Sequence, residues 1–476
     1  ISSVNSKELN IEFNKFFIND NDINYIVSGD NDKINQLSEF LKKHKIDFYS
    51  TKAQKLNAFS YNKNKIINYT TNVNDLVIPN SQAKGKLVDV LFERNTKLGN
   101  SETYDITAWS LPFVYGLDGY STSKKIELTE YLEKKIENNL DKNAIAYAGI
   151  WNHMNDARFL SSLINNKVKV RYNEKLIKNG GLNLSRGSYI IYKGDQIIEN
   201  YDEIISKLAD KNKIKLNNIY TGMSEIGPDL GSDSVKLIRE KEVAIIYGED
   251  RGNMVSSLNY GAIWHYFEQE LKYPLTHLSI KTFEDIELDE FDVLIIPDGY
   301  YWSIGNETNI EKIKSWVSKG GNLIAFTNAI RIFTNKDGFS VKVKRNETDI
   351  INEEAKFEDL NSESKRNNLS GAIFKVNIDN THPLAYGYKN EYYSLKLSSL
   401  TYEKLKRGFN VGKIDDENLT IGFVGDNIKD NFKNSMVFGN EKIGMGNVIY
   451  FVDDIIFRSF WENGKLFLAN SIFFVN

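Results

Sequence analysis

The sequence predicts an α/β protein built from three related parallel-sheet units of the Rossmann or flavodoxin type. Its 476 residues are enough for about three domains, each with its own core. Strands of continuous Val, Ile and Leu alternate with amphipathic helices, and the order strand, helix, strand recurs three times. This alternation is typical of a parallel sheet that is covered on both faces.

The first two units are predicted at residues 1–122 and 123–236. In the first, the strand INYIVS precedes the helix KINQLSEFLKKHK, in which Ile34, Leu37, Phe40 and Leu41 recur at helical spacing, and the strand IDFYS follows. In the second, the strand AIAYAG, the helix ARFLSSLINN and the strand KVKVRYN follow in the same order. The two segments therefore indicate related folds.

The third unit, at residues 237–476, shows the pattern most clearly. Its strands are EVAIIYG, FDVLIIPDG, NLIAFTN and GNVIYF, with helices between them and a last helix at the C-terminal end. Between Phe333 and Met445 the sequence becomes polar and rich in Asn and Lys, with short strands. We expect a mixed insertion at about residues 334–445.

Composition excludes several classes of function. The net charge is only -4, with 60 basic and 64 acidic residues, so no basic surface for nucleic acid is expected. The chain has no cysteine, which excludes disulfides, thiolate metal sites and a cysteine nucleophile. No apolar run approaches the roughly 18 residues of a membrane span.

Ligands of doubly wound sheets bind at the carboxyl ends of the strands, and two strand ends in the third unit carry polar and aromatic residues. The candidate binding residues are Asp298, Gly299, Tyr300, Tyr301, Trp302, Thr327 and Asn328. Aromatic side chains with a nearby acid often form a ledge for a peptide or a sugar. The alternative is structural, because aromatic residues make up 12% of the chain and are mostly used in packing.

The layout of the third unit resembles the class I glutamine amidotransferase-like fold. The resemblance implies that Gly299 offers a backbone N–H to an oxyanion and that Thr327 stands where that family has its cysteine. A threonine hydroxyl needs an adjacent base, but Val452, Asp453 and Asp454 follow the last core strand in place of the family's histidine and acid. We therefore predict a degenerate site with no catalytic residue, whose polar tip caps the following helix or turn.

A zinc site is the metal alternative. His265 and Glu268 have the His-x-x-Glu spacing of zinc carboxypeptidases, and His382 would be a third ligand. On a helical wheel, however, His265, Glu268 and Lys272 share a face opposite the apolar residues, as on an ordinary solvated surface. Catalytic zinc needs a shaped cavity with an open coordination position, so we predict no metal in this chain.

Several strings resemble the C-terminal region of large secreted bacterial zinc carboxypeptidase-like proteins. They are YDITAWSLPFVYGLDGY, GPDLGSDSVKLIREKEVAIIYG, WHYFEQELKYPLTHL, DVLIIPDGYY, GAIFKVNIDNTHPLAYG and IFRSFWENGKLFLANSIFF. The resemblance spans about residues 20–476. It implies that zinc and the catalytic residues belong to a peptidase domain absent from this chain. It also implies a secreted, periplasmic or cell-envelope location, with that peptidase, peptides or an envelope complex as partners.

Two functional hypotheses follow. The first is a non-catalytic accessory region that positions or binds substrate, or serves assembly. The second is an enzyme in its own right, either a zinc carboxypeptidase using His265, Glu268 and His382 or an amidase-like hydrolase using Thr327. The residues alone leave open whether the chain is an enzyme.

Overall fold

The structure, a computed structural model, describes residues 22–95, 106–133, 136–250, 252–344 and 366–476. Its contacts divide the chain into two compact units. The first comprises residues 1–135, 370–373 and 421–423, and the second comprises the rest. The domain boundaries predicted at residues 122 and 236 stay predictions.

The first unit contains a five-stranded sheet in the order β4-β3-β6-β1-β5 and a separate pair, β2-β7. Its strands are β1 (Asn24–Ser28), β2 (Ser50–Thr51), β3 (Lys55–Ser60), β4 (Lys65–Thr70), β5 (Leu76–Pro79), β6 (Asp118–Thr122) and β7 (Leu128–Thr129). Its helices are α1 (Asn31–Lys43), α2 (Gly85–Phe92) and α3 (Leu111–Tyr115).

Helix α1 follows its sequence pattern. The Asp30 carboxylate accepts hydrogen bonds from the backbone N–H groups of Asp32 and Lys33, which fixes the first turn. The predicted apolar face is buried at Ile34, Leu37 and Leu41, whereas Phe40 is only partly buried. The spacing of its apolar residues was sufficient to predict this helix, whereas the capping role of Asp30 was not predicted.

The second compact unit begins with a smaller sheet in the order β13-β8-β12-β9-β14 and a hairpin, β10-β11. The strands are β8 (Ala146–Gly149), β9 (Arg171–Asn173), β10 (Ile177–Asn179), β11 (Leu182–Leu184), β12 (Tyr189–Tyr192), β13 (Asn217–Ile219) and β14 (Val235–Leu237). The helices are α4 (Met154–Asn165) and α5 (Tyr201–Lys211).

The prediction of parallel sheets is wrong for these two sheets, because every pair of neighbouring strands in them is antiparallel. Strands β1 and β3 do run in the same direction, as do β8 and β9, but β6 and β12 insert between them. Of the strand predicted at IDFYS, only Ser50 lies in a strand, β2, which is outside the first five-stranded sheet. The predicted order did give the relative direction of β8 and β9 correctly. A strand that comes later in the sequence separates them.

The second unit also contains an eleven-stranded mixed sheet and a three-stranded sheet, β16-β17-β20. Their strands are β15 (Val243–Tyr247), β16 (Glu249–Asp250), β17 (Asn253–Val255), β18 (Thr276–Ser279), β19 (Val293–Ile296), β20 (Gly299–Tyr301), β21 (Asn322–Phe326), β22 (Ala372–Ile378), β23 (Glu391–Lys396), β24 (Tyr402–Glu403), β25 (Phe409–Ile414), β26 (Thr420–Ile421), β27 (Ser435–Ile443) and β28 (Gly446–Phe451). The helices are α6 (Ser257–His265), α7 (Glu307–Ser318), α8 (Asp426–Lys429) and α9 (Lys465–Phe473), and a π-helix (Tyr266–Leu271) continues α6.

In this mixed sheet, the order β18-β15-β19-β21-β28 is parallel throughout, as predicted for the third unit. Strands β19 and β21 are buried along their whole length, because the sheet is covered on both faces. Ile313 and Trp316 of α7 pack into the core over these strands. The parallel part brings the ends of β19, β21 and β28 to one edge.

The polar region predicted as an insertion at residues 334–445 contributes strands to the same sheet. Strand β27 pairs antiparallel with β28, and β25 and β22 continue outward from it. Residues 345–365 lie outside the described part. No helix in the described ranges has the length and apolar composition of a membrane span.

Candidate functional site

The candidate site lies at the carboxyl ends of the three adjacent parallel strands β19, β21 and β28. Asp298 follows β19 after one residue, Thr327 directly follows β21, and Asp453 and Asp454 follow β28. Adjacent parallel strands end at one edge of a sheet, which is where doubly wound folds bind ligands. We call this set of four residues, together with Asn328, the strand-end cluster.

Thr327 has a strained backbone. Its φ of 46° lies in the left-handed region, which a β-branched residue rarely adopts. The residue connects β21 directly to a 3₁₀ helix, Thr327–Phe333. A strained strand-to-helix turn is also the geometry that exposes the nucleophile in hydrolase elbows. Thr327 therefore lies at the apex of a strand-to-helix turn, the position at which the resemblance placed the family's cysteine.

One oxygen of Asp298 holds this turn. The Asp298 Oδ1 atom accepts hydrogen bonds from the Thr327 hydroxyl, from the backbone N–H of Asn328 at 3.1 Å and from Asn328 Nδ2 at 3.0 Å. We predicted that this polar tip caps the helix or turn that follows it. In the structure, no side chain caps the 3₁₀ helix that starts at Thr327. The polar tip instead ties the end of β21 to the end of β19.

The backbone of Asp298 is fixed as well. Its N–H donates to Asn259 Oδ1 at 2.9 Å, and its carbonyl accepts from the backbone N–H of Ser256 at 2.8 Å. Ser256 caps helix α6, and Asn259 is a buried residue of the same helix. The acid is therefore held in place by β21 on one side and by the start of α6 on the other.

The two acids that follow β28 have different surroundings. Asp453 is buried and accepts hydrogen bonds from Lys396 Nζ at 2.7 Å and from the Ser394 hydroxyl at 2.6 Å. The pKa of Asp454 is raised to about 6, mainly by burial, with smaller contributions from the charges of Asp298 and Asp453. The sequence indicated where these two acids lie, but it did not show that Asp453 has a lysine counter-ion and Asp454 does not.

The predicted aromatic ledge is divided by the alternation of side chains along β20. Tyr301 is buried, and its hydroxyl donates to the carbonyl of Pro297 at 2.8 Å. Tyr300 is 58% exposed and Trp302 83% exposed. Tyr300 is the cross-strand partner of Met254, which is also exposed. Met254, Tyr300 and Trp302 therefore form an apolar surface beside the strand ends.

Gly299 is required by close packing. A Cβ atom at this position would lie 2.4 Å from the carbonyl oxygen of Met254 and 3.1 Å from the ring of Tyr301. Gly299 pairs with Val255 of β17, so the absence of a side chain allows β17 to approach. An oxyanion-binding role for this residue stays a prediction.

All five histidines lie in the described part of the chain, and the imidazole contacts seen there do not involve Thr327. His265 faces Glu270 at 3.3 Å, and His277 is hydrogen bonded to the Tyr260 hydroxyl at 2.7 Å. His153 caps α4, His44 packs at a tilted angle against Phe40, and His382 contacts Leu384 and Asn440. No described imidazole is thus placed as a base for the threonine.

The alternative zinc ligands do not come together. Within the described residues, no cluster of three potential ligand atoms contains His265, Glu268 or His382. His265 is the last residue of α6 and is about half exposed, whereas His382 is buried beside β27. The helix continues beyond His265 as a π-helix, and the His265 imidazole faces Glu270. The α-helical wheel, which placed His265 beside Glu268, therefore does not apply to this segment. Trp264 is one of the apolar residues that the helical wheel places on the opposite, buried face, but it is 42% exposed.

Comparisons with known proteins give only distant likenesses. No family model matches the chain, and no curated protein matches it significantly. Solved structures that are similar to it include a ThuA-like protein, a glutamine amidotransferase and a β-galactosidase. A ThuA-like protein from Bacteroides uniformis has 13% identity and a TM-score of 0.32, covering 48% of this chain and 89% of that one.

A glutamine amidotransferase from Thermotoga maritima has 8% identity and a TM-score of 0.29, over 49% of this chain and 97% of that one. A β-galactosidase from Bacillus circulans sp. alkalophilus has 9% identity and a TM-score of 0.29, over 62% and 38%. Likenesses at this level carry no argument about function. Nothing in the comparisons links the chain to zinc carboxypeptidases.

Proposed function

We propose that this chain is a non-catalytic accessory region in which a degenerate amidotransferase-like strand end supports a binding surface. The observation that carries the proposal is the threefold hydrogen bonding of Asp298 Oδ1 by Thr327 and Asn328. A hydroxyl used in this way braces a strained turn. A carboxylate is also a much weaker base at neutral pH than the imidazole that activates hydroxyl nucleophiles.

The binding surface in this proposal is the exposed apolar group Met254, Tyr300 and Trp302. Exposed aromatic side chains at a strand end offer large, rigid contact area to a peptide. Methionine adapts to irregular partners, which suits a surface that accepts different peptide side chains. In the full proposal, a secreted or envelope-associated zinc carboxypeptidase-like protein uses this surface to hold peptides for a peptidase domain.

The test is peptide binding by variants of the surface. We expect short peptides with free carboxyl ends to bind the wild-type chain, and Trp302→Ala to weaken binding roughly tenfold through the lost aromatic contact. Tyr220→Ala, which removes another exposed aromatic side chain, just after β13, serves as the matched control and should bind like the wild type. Equal binding by the wild type and Trp302→Ala, or no binding by either, would contradict the proposal.

A second candidate is an amidase-like hydrolase that uses Thr327. Two observations favour it: the strained elbow at Thr327 and the raised pKa of Asp454, since a buried carboxyl group with a raised pKa is a feature of acid–base sites. Hydrolysis of p-nitroanilide and p-nitrophenyl ester substrates tests it. A rate that disappears in Thr327→Ala but persists in Thr327→Ser would support the hydrolase, and an unchanged rate would reject it.

A further inference from the structure

A cavity of about 360 Å³ lies in the second compact unit, away from the strand-end cluster. Its wall includes Tyr172, His382, Phe409, Asn440 and Asn447. Its volume is in the range of pockets that hold small ligands. We call it the His382 pocket.

The tautomer of His382 is fixed by the backbone. The imidazole Nδ1 accepts the backbone N–H of Leu384 at 3.1 Å, so this nitrogen carries a lone pair. Burial lowers the pKa of His382 to about 4, so the ring is neutral at physiological pH. A neutral imidazole with an acceptor at Nδ1 carries its proton at Nε2. The Nε2–H group is therefore a donor.

Three buried asparagines form a chain of amides that ends at this histidine. Asn322 Nδ2 donates to the backbone carbonyl of Val475 at 2.8 Å, which fixes the orientation of the first amide. Asn447 Nδ2 then donates to Asn322 Oδ1 at 3.0 Å, and Asn440 Nδ2 donates to Asn447 Oδ1 at 3.3 Å. The direction in which these amides donate is thus set by the Val475 carbonyl, at the end of the series away from His382.

The His382 imidazole and the Asn440 amide do not form a matched hydrogen bond where they meet. Asn440 Nδ2 lies 3.3 Å from His382 Nε2, so two donors face each other. Asn440 Oδ1 is buried and has no hydrogen-bond partner among the described residues. Rotating the Asn440 amide would satisfy the imidazole but would set its oxygen against Asn447 Oδ1. In either orientation the pocket wall has an unmatched donor and an unmatched acceptor, which are costly when buried.

The remaining lining indicates a neutral ligand with a flat face. The charged side chains are two acids, Glu174 and Asp379, and two lysines, Lys236 and Lys442, so neither sign predominates. The Phe409 ring is 50% exposed and lies 5.1 Å from the His382 ring. Phe409 pairs across the sheet with Asn440, which places the ring beside the unmatched amide.

We propose that the His382 pocket binds a neutral monosaccharide, with one sugar hydroxyl bridging His382 and Asn440. A hydroxyl both accepts and donates, so once a small rotation of the Asn440 side chain turns Oδ1 toward the pocket, it can accept from His382 Nε2–H and donate to Asn440 Oδ1. The apolar face of the sugar ring packs on Phe409. A primary carboxamide has the same donor and acceptor pair, but a linear amino acid amide lacks the ring face that would cover Phe409.

Saturation-transfer NMR with the full chain tests this assignment. The probes are the methyl glycosides of glucose, galactose and mannose, with free glutamine as the carboxamide probe. We expect saturation transfer to at least one glycoside and none to glutamine. Phe409→Ala, at an exposed position that folding should tolerate, should weaken glycoside binding roughly tenfold. His382→Asn keeps an N-cap side chain but removes Nε2–H, and it should abolish binding.

Trp302→Ala is the matched control, since it removes an exposed aromatic side chain from the other candidate surface. It should leave glycoside binding unchanged, which separates this inference from the proposed peptide surface. Three results would overturn the inference. They are no transfer to any glycoside, transfer to glutamine alone, and equal glycoside affinity in Phe409→Ala and the wild type.

Discussion

At the scale of single residues, the strand-end cluster is defined by how each acid is compensated. Asp298 receives three hydrogen bonds, Asp453 has a lysine and a serine, and Asp454 accepts the backbone N–H of Ile456 at 3.1 Å. Burial without a counter-ion raises the pKa of Asp454, which makes its charged form a cost to folding at neutral pH.

Replacing Asp454 with Asn should stabilise the protein at neutral pH. The folded protein retains a proton on Asp454 between the ordinary pKa of 3.8 and about 6, whereas the unfolded chain has released it. Stability from this group is therefore lost as the pH rises through that window. We expect a gain of about 1–2 kcal/mol in the unfolding free energy at neutral pH, which vanishes below the window. Urea unfolding across this pH range measures it.

Asp453→Asn is the matched control for that experiment. It leaves the Lys396 ammonium buried without its carboxylate, so it should destabilise the protein by about 3–5 kcal/mol. Opposite signs for two adjacent Asp-to-Asn changes are expected. Destabilisation by Asp454→Asn at neutral pH would contradict the assignment of its raised pKa.

Because the backbone at Thr327 is strained, we expect glycine to be tolerated there better than alanine, which is the reverse of the order in a helix. Glycine adopts positive φ freely and alanine does not, so Thr327→Gly should be more stable than Thr327→Ala by about 1 kcal/mol. Thr308, exposed in helix α7, is the control, because there alanine should be better by about 1 kcal/mol. Thermal unfolding of the four variants checks both orders. Alanine and glycine ranking alike at the two sites would exclude the strain.

At the scale of elements, helix α9 is anchored by one buried amide. Asn470 Nδ2 donates to the carbonyls of Leu384 and Tyr386 at 2.9 and 2.8 Å, and Asn470 Oδ1 accepts from Trp151 Nε1 at 2.8 Å. A single side chain therefore joins α9 to the segment before β23 and to the loop after β8. The sequence showed only an apolar C-terminal helix, since nothing local marks an asparagine as a tertiary anchor.

Asn470→Ala should accordingly be severely destabilising. It leaves two buried carbonyls and an indole N–H unpaired, each of which costs about 1–3 kcal/mol. We expect a loss of about 3–5 kcal/mol in urea unfolding. Asn166→Ala, at the exposed C-terminal end of α4, should change stability by less than about 1 kcal/mol. Similar effects at the two positions would show that Asn470 is not an anchor.

The elements themselves were predictable in type more than in pairing. The continuous apolar runs in AIAYAG and FDVLIIPDG correctly indicated buried strands, because burial depends directly on the apolar character of these residues. Which strands become neighbours in a sheet depends on whether another strand inserts between them. That strand can come from a distant part of the sequence. The strand ends in the third unit were located because parallel neighbours end together. The amide chain at His382 spans Asn322 to Val475 and has no local signature.

At the scale of the whole molecule, the competing functions differ in metal content. A zinc carboxypeptidase using His265, Glu268 and His382 would retain about one zinc per chain, as tight catalytic sites do. We expect the full chain, purified without chelators, to contain well under that amount by inductively coupled plasma mass spectrometry. Stoichiometric zinc that is lost in His265→Ala would contradict the accessory function.

A double-mutant cycle between Asp298 and Thr327 tests whether the Thr327 hydroxyl is structural. If the hydroxyl braces the turn, Asp298→Ala and Thr327→Ala should show a coupling of about 1–2 kcal/mol in the unfolding free energy. The same cycle with Thr308→Ala should give a coupling near zero. A coupling near zero between Asp298 and Thr327 would contradict the claim that this hydroxyl is structural.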